Sequence, residues 1–227
     1  MIRRVLRSML KFNQMKIHLT TIIAILFLSS CSFLEAKRPP IAEPGSVLFS
    51  ETFSGEKQVW RTWNQEGSFV GYQADGFRFY IDQANTDFFS TPGFNYQDVL
   101  IDVDAIKTSG PDENIYGLIC RMQDEENYYA FIISSDGYTG IIKVQDGVYR
   151  LLNNPSLEFS SAIVQGKALN QLTVTCQGNT LGLDINGTRQ FRIKDDTFAF
   201  GDIGLIAGTM EEAGVDIFFD NLTVIQP

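Results

Sequence analysis

Beyond residue 47, apolar and polar positions alternate in short runs separated by Gly, Asn and Asp. The runs "GFRFYID" (76–82), "DVLIDVDAI" (98–106), "YGLICRM" (116–122), "NYYAFIIS" (127–134), "TGIIKVQ" (139–145), "QLTVTC" (171–176), "LGLDIN" (181–186), "GDIGLIAG" (201–208) and "VDIFFDNLTVI" (215–225) all read as strands. A period of two among β-branched and aromatic residues, bounded by turn formers, is the pattern of a strand with one face buried. No segment carries a convincing helical period, and no internal repeat stands out. Many short strands without helices between them predict an all-β domain. Its expected architecture is an antiparallel two-sheet β-sandwich of the jelly-roll kind rather than a βαβ fold.

Turn chemistry places several of the strands. Asp146-Gly147 and Asn186-Gly187 are two-residue hairpin signals, because both central positions of a type I′ turn need positive φ. The second makes a hairpin of residues 181–193, with Leu181, Leu183 and Ile185 on one face. "QDEEN" (123–127) reads as a longer polar loop between two strands. Pairing Gln123 with Tyr128 sets Arg121 opposite Ala130 and Cys120 opposite Phe131. Leu118, Cys120, Met122, Tyr129 and Phe131 then face the core, and Ile119, Arg121, Tyr128 and Ala130 face away. Leu172, Val174 and Cys176 share a face opposite Thr173 and Thr175. Cys120 and Cys176 therefore both point to the apolar side. They form either a disulfide between neighbouring strands or two buried thiols.

The first 46 residues follow another logic. Arg3, Arg4, Arg7, Lys11 and Lys16 precede an apolar run from Ile17 to Leu28, with no acidic residue among them. A positive segment, a short apolar segment and small residues are the order of a secretory signal, and the run is too short for the ~20 apolar residues a spanning helix needs. Leu28-Ser29-Ser30-Cys31 resembles the lipobox of bacterial lipoproteins, in which the cysteine is acylated and becomes the first mature residue. The resemblance implies a signal peptide over 1–30, lipidation at Cys31 and a membrane partner reached through the lipid anchor. Either Met1 or Met15 serves as the start, because the segment from Lys16 is a complete signal by itself. Ser32, in place of aspartate, implies the outer membrane in a two-membrane bacterium. Residues 31–46, with three prolines and a glycine, read as a semi-rigid tether, leaving 47–227 for one domain.

Charge narrows the partners. Removing the signal leaves 13 basic residues against 27 acidic ones, a formal charge of −14. Nucleic acid and anionic lipid surfaces need clustered Lys and Arg, so neither is expected as a ligand. The single histidine, His18, lies in the signal. The mature domain thus has no Ser-His-Asp or Cys-His nucleophile system and no imidazole-dependent zinc site.

Taken in order, "YGLICRMQDEENYYAFIISSDGY", "LTVTCQGNTLGLDINGT", "GDIGLIAGT" and "VDIFFDNLTV" resemble the concanavalin A-like lectin/glucanase superfamily, near the 3-keto-disaccharide hydrolase and laminin-G-like domains. The opening "LFSETFSG" is similar to that group's first strand, which pairs close to the last. The resemblance covers residues 47–225 and implies two curved sheets with a concave face that often binds glycans. It also implies a structural calcium where first and last strands meet, where Glu51 and Asp220 stand.

Candidate chemistry follows from residue type. Sugars are held by aromatic faces and a few convergent polar groups, and Trp60, Trp63, Tyr72, Tyr80, Arg121, Tyr128 and Tyr138 are of the required types. The proposed register sets Arg121 and Tyr128 together. Glycoside hydrolysis needs two carboxylates flanking the bond. Asp98, Asp102 and Asp104 share a strand face but lack the glutamates of the laminarinase pattern, and they read as a polar outer face over Val99, Ile101 and Val103. Asp124, Glu125 and Glu126 read as a solvated loop. The expected function is a surface lipoprotein presenting a non-catalytic glycan-binding sandwich. A sugar-processing enzyme and a structural or protein-binding envelope protein are the alternatives.

Overall fold

The structure is a computed structural model, and it describes residues 42–54, 58–65, 67–74 and 76–227. The expected signal peptide, Cys31 and the expected tether up to residue 41 lie outside the described residues. Among the described residues there is no helix, and the strands form two antiparallel sheets. The all-β two-sheet sandwich expected from alternation is the fold.

The larger sheet runs, edge to edge, through β14 (Thr188–Lys194), β13 (Thr180–Ile185), β12 (Leu169–Gln177), β6 (Val99–Ser109), β16 (Val215–Ile225), β4 (Gly76–Ile81), β3 (Ser68–Gln73) and β2 (Trp63–Gln65). β1 (Val47–Glu51) pairs with the end of β16, as the resemblance implied for the first and last strands. The smaller sheet runs through β10 (Val148–Leu151), β9 (Tyr138–Gln145), β8 (Asn127–Ile133), β7 (Asn114–Asp124), β15 (Asp202–Thr209) and β5 (Asp87–Ser90), with β11 (Glu158–Phe159) on β9. The folded chain begins slightly before residue 47: Gly45 N–H donates to the Gln226 carbonyl, and Gln226 N–H donates to the Ser46 carbonyl.

Alternation explains the core. On β6, Val99, Ile101, Val103 and Ala105 are buried between the sheets, while Asp102 accepts from the Thr173 hydroxyl and Asp104 from Asn221 Nδ2 on the outer side. Phe77, Phe79, Leu183 and Phe219 meet Leu118, Tyr129, Phe131 and Leu205 from the opposite sheet. Both predicted hairpin turns have positive φ at both central residues, 52° and 72° at Asp146-Gly147 and 49° and 75° at Asn186-Gly187. Cys120 on β7 and Cys176 on β12 are joined by a disulfide, with Cα atoms 6.8 Å apart. The bridge therefore ties one sheet to the other rather than joining neighbours within a sheet.

The β7–β8 pairing differs from the expected register. Asp124 pairs with Asn127 around a turn made by Glu125 and Glu126 alone, but Cys120 pairs with Tyr129, Ile119 with Ala130 and Leu118 with Phe131. A bulge between Cys120 and Asp124 absorbs the difference, and Arg121 at its centre has φ of 54°. The bulge exchanges the faces of the next two residues. Met122 joins Ile119 and Tyr128 on the outer face, and Arg121 turns in between the sheets. Gly201, just before β15, passes directly over the bulge: a Cβ there would lie 2.5 Å from the Arg121 carbonyl carbon and from the Met122 oxygen. Only glycine fits that approach.

Candidate functional site

The outward face of the smaller sheet is not a solvated one. Ile119 is 0% exposed, Tyr128 and Val144 1% each, and Ile132 and Ile206 2% and 3%. These residues form a second apolar cluster, with Phe89, Ile115, Ile142 and Leu157 packed against it. The register sets Gly117, Ala130, Gly140, Gly204 and Gly208 on the same face. Small residues among branched ones lower the floor, and the segment leading to β11 crosses above it, since a Cβ on Gly140 would lie 2.8 Å from a Leu157 methyl. The result is a hollow of about 280 Å³.

Its floor is Ile115, Ala130, Ile132, Ile142, Val144 and Ile206, and its rim carries Asn85, Thr86, Asp87, Tyr149, Thr209 and Met210. Rim hydroxyls are already committed: Thr86 donates to the Ala84 carbonyl and Thr209 to the Gln83 carbonyl. Tyr128 differs. Its hydroxyl is buried at the wall of the hollow and makes no hydrogen bond of ordinary geometry, with the Tyr149 phenol beside it as a candidate partner and Asp87 close enough to act on it electrostatically. Burial first, and then those two neighbours, push its pKa far above that of an ordinary phenol. The Asp87 side chain reaches solvent at the rim, yet desolvation against the apolar wall raises its carboxyl above the usual value. Tyr149 is 58% exposed, leaving a free aromatic face beside the opening. No Lys or Arg lines the hollow.

A second, more open hollow of about 510 Å³ adjoins it, sharing Met210. Glu113, Asn114, Ser134, Asp136, Tyr138, Ser156 and Leu157 complete its lining. Tyr138 and Phe159, both exposed, meet edge to face at its margin with ring centroids 5.9 Å apart. The two hollows extend along one sheet face.

Of the seven aromatic and arginine residues expected to bind sugar, the structure brings only Tyr128 and Tyr138 to this face. Trp60 is buried in a cluster with Phe53 and Phe77, and Tyr72 packs on the same rings while its hydroxyl accepts from the Trp60 N–H. Neither offers a ring for stacking. Trp63 seals a side of the sandwich, its Nε1 donating to the Phe89 carbonyl at 3.1 Å and its ring lying under Arg61. Tyr80 lies on the opposite outer surface beneath Arg78, which is held by Asp216. Arg121 is 2% exposed and cannot reach a ligand: its guanidinium donates to the Gln97 and Phe198 carbonyls and to Asp98. The bulge that turned it inward is the cause. Burial lowers the Arg121 pKa, and the Asp98 charge opposes that shift.

The carboxylates are similarly dispersed. Asp98 serves Arg121 and caps the Gly178 N–H, while Asp102 and Asp104 lie on the face of the larger sheet away from the hollows. Glu125 contacts Arg61 in solvent, and Asp124 caps the Glu126 N–H. Glu51 accepts from the Phe53 N–H and Asp220 from the Asn221 N–H. Calcium draws six to eight oxygens. Among the described residues no group of three or more acidic, Cys or His side chains is arranged to hold a metal.

Sequence reasoning missed Tyr149, Asp87 and the aliphatic floor. A signal for the floor was present: "YGLICRM" and "NYYAFII" are nearly continuous apolar runs, as in strands buried on both faces.

The architecture is that of a jelly-roll β-sandwich. No protein-family profile and no curated protein matches the chain. Among solved structures, a carbohydrate-binding module, CBM66 from Bacillus subtilis, superposes with a TM-score of 0.60 at 15% identity, covering 75% of this chain and 97% of that one. A Bacillus subtilis protein of unknown function with a galectin-like fold gives 0.57 at 14% identity, over 81% and 97% of the two chains. The GH16 protein of the Bacteroides ovatus mixed-linkage glucan PUL, solved with a G4G4G3G product, gives 0.57 at 9% identity, over 79% and 100%. At such identities the likeness is one of fold.

Proposed function

We propose that the protein is a glycan-binding module that holds its ligand on the outer face of the smaller sheet, without catalysis. The observation that supports this most is the unpartnered Tyr128 hydroxyl at the floor of a hollow whose rim carries the exposed Tyr149 ring. A concave apolar site with few convergent polar groups and an aromatic edge is the usual form of a small-ligand site. The carbohydrate-binding and glycoside hydrolase neighbours share the fold and favour this ligand class. The test is a glycan-array screen of the purified protein, with each hit titrated against wild type and Tyr149→Ala. Loss of a stacked ring should weaken binding about tenfold. Absence of any binding across the array argues for a structural or protein-binding role instead.

The lipobox-like Cys31 supports export and lipid anchoring of this domain at the cell envelope. Cys31→Ala should then move the protein from the membrane fraction to the soluble one, and retention in membranes contradicts the anchor. A sugar-processing enzyme is the second reading, favoured by Glu113 and Asp136 lining the same hollow. It requires product release that disappears in Glu113→Gln.

A further inference from the structure

We infer that the 280 Å³ hollow takes an acetyl group carried by a neutral glycan, with the acetyl carbonyl accepting from the Tyr128 hydroxyl and the methyl packed on Ile132, Val144 and Ile206. The inference rests on the glycan-binding reading and names its ligand class.

Three observations carry it. First, the floor is wrong for a bare sugar ring. A pyranose presents hydroxyls around its whole edge, and each one pressed against branched aliphatic walls would lose its water without gaining a partner. Sugars rest on flat aromatic faces, and the only exposed ring at this opening, Tyr149, stands at the rim. The ring of the sugar therefore belongs at the rim and a smaller, less polar substituent in the depth.

Second, the depth offers one uncommitted polar atom. The Tyr128 hydroxyl is buried without a hydrogen bond of ordinary geometry, its neighbour being the phenol of the rim residue Tyr149, whereas the Thr86 and Thr209 hydroxyls are engaged with backbone carbonyls. A buried hydroxyl without a partner is unfavourable and is normally satisfied. An acetyl group has one strong acceptor and one methyl, which matches one donor in an aliphatic pocket; a sugar hydroxyl has no apolar part to fill the remainder.

Third, charge selects. The hollow has Asp87 at its rim and no basic residue. Uronic acids, sialic acids and sulfated sugars would meet a carboxylate and no counter-ion, so a neutral ligand is favoured. The volume is near the lower limit of ordinary small-molecule sites, with room for the substituent and part of the ring that carries it, and an oligosaccharide would continue over the adjoining hollow that shares Met210.

The acetyl is borne either as an ester or as an amide, and the test separates the two. The purified protein is applied to one set of neutral oligosaccharides printed untreated, after mild alkali, which cleaves esters and spares amides, and after N-deacetylation. Binding that falls at least about tenfold after alkali identifies O-acetyl, and binding that falls only after N-deacetylation identifies N-acetyl. In either case Tyr128→Phe should weaken the acetylated ligand about tenfold, as expected for one lost hydrogen bond in a dry site. Binding indifferent to both treatments, or stronger to anionic glycans, overturns the acetyl inference and leaves glycan binding standing. No binding to any oligosaccharide overturns both. Equal affinity of wild type and Tyr128→Phe for the acetylated ligand removes Tyr128 from the account.

Discussion

Tyr128 and Arg121 are both fully buried, yet their chemistry points in opposite directions. Tyr128 keeps a hydroxyl in an apolar hollow with no bond to compensate its lost hydration. Tyr128→Phe deletes that unsatisfied group while retaining the ring, which packs 6.2 Å from Phe89. The variant should be more stable by ~1 kcal/mol while binding ligand more weakly, and thermal unfolding beside titration checks the pair of effects. A group that lowers stability but raises affinity is what a binding site retains. Arg121 is the reverse case, since its guanidinium is wholly engaged between the sheets. Arg121→Ala leaves the Gln97 and Phe198 carbonyls and the Asp98 charge without their donor, and should destabilise by ~3 kcal/mol in denaturant unfolding. The two residues were paired as ligand contacts by a register that runs unbroken from the turn. Residue type and alternation identify Tyr128, but nothing in "ICRMQDEEN" announces a bulge, because the glycine that permits it, Gly201, lies 80 residues further on, just before β15.

At the scale of elements, local patterns were the most legible. Both Asx-Gly hairpins and the runs that became β6 to β9, β12, β13, β15 and β16 are readable because turn chemistry and side-chain period are local properties. β3 and β5 carry no clear pattern: "SFVGYQ" and "DFFS" are short and weakly alternating, and become strands by pairing with β4 and β15. The disulfide shows the same limit, for alternation puts both cysteines inward but cannot say which sheet each one joins. It closes a separation of 56 residues across the sandwich. Reduction should lower stability by ~4 kcal/mol by the chain-entropy relation, measured as the shift in denaturant midpoint with and without reductant.

A second lock holds the chain between β14 and β15. Asp195 accepts from the Tyr129 hydroxyl, from Lys143 Nζ at 2.7 Å and from the Thr197 N–H at 2.9 Å. Desolvation works against the Asp195 carboxylate, but those donors outweigh it and hold its pKa well below the usual value. A carboxyl depressed in the folded state contributes stability above its unfolded pKa of ~4 and loses it as pH falls through the folded one. Wild type should therefore lose stability below about pH 4 more steeply than Asp195→Asn, as read from unfolding midpoints across that range.

The described residues form a sandwich whose smaller sheet is apolar on both sides. One side makes the common core with the larger sheet, and the other makes the floor of the two hollows. The fold class was legible because it depends on the number and period of the strands. The site was legible only in part, because which face is concave, and which loop crosses it, depends on contacts between β9, β10 and β11 that no single run encodes. Tyr149, on a short strand with exposed neighbours, has no sequence mark of its role. The central claim is that this outer face holds the ligand. It is tested most directly by Ala130→Leu, which puts a larger aliphatic side chain into the floor beside Tyr128 and leaves every rim residue in place. Glycan binding by wild type with a loss of at least about tenfold in this variant, at unchanged unfolding temperature, is the result predicted. Equal binding by the two proteins contradicts it and places the ligand elsewhere on the molecule.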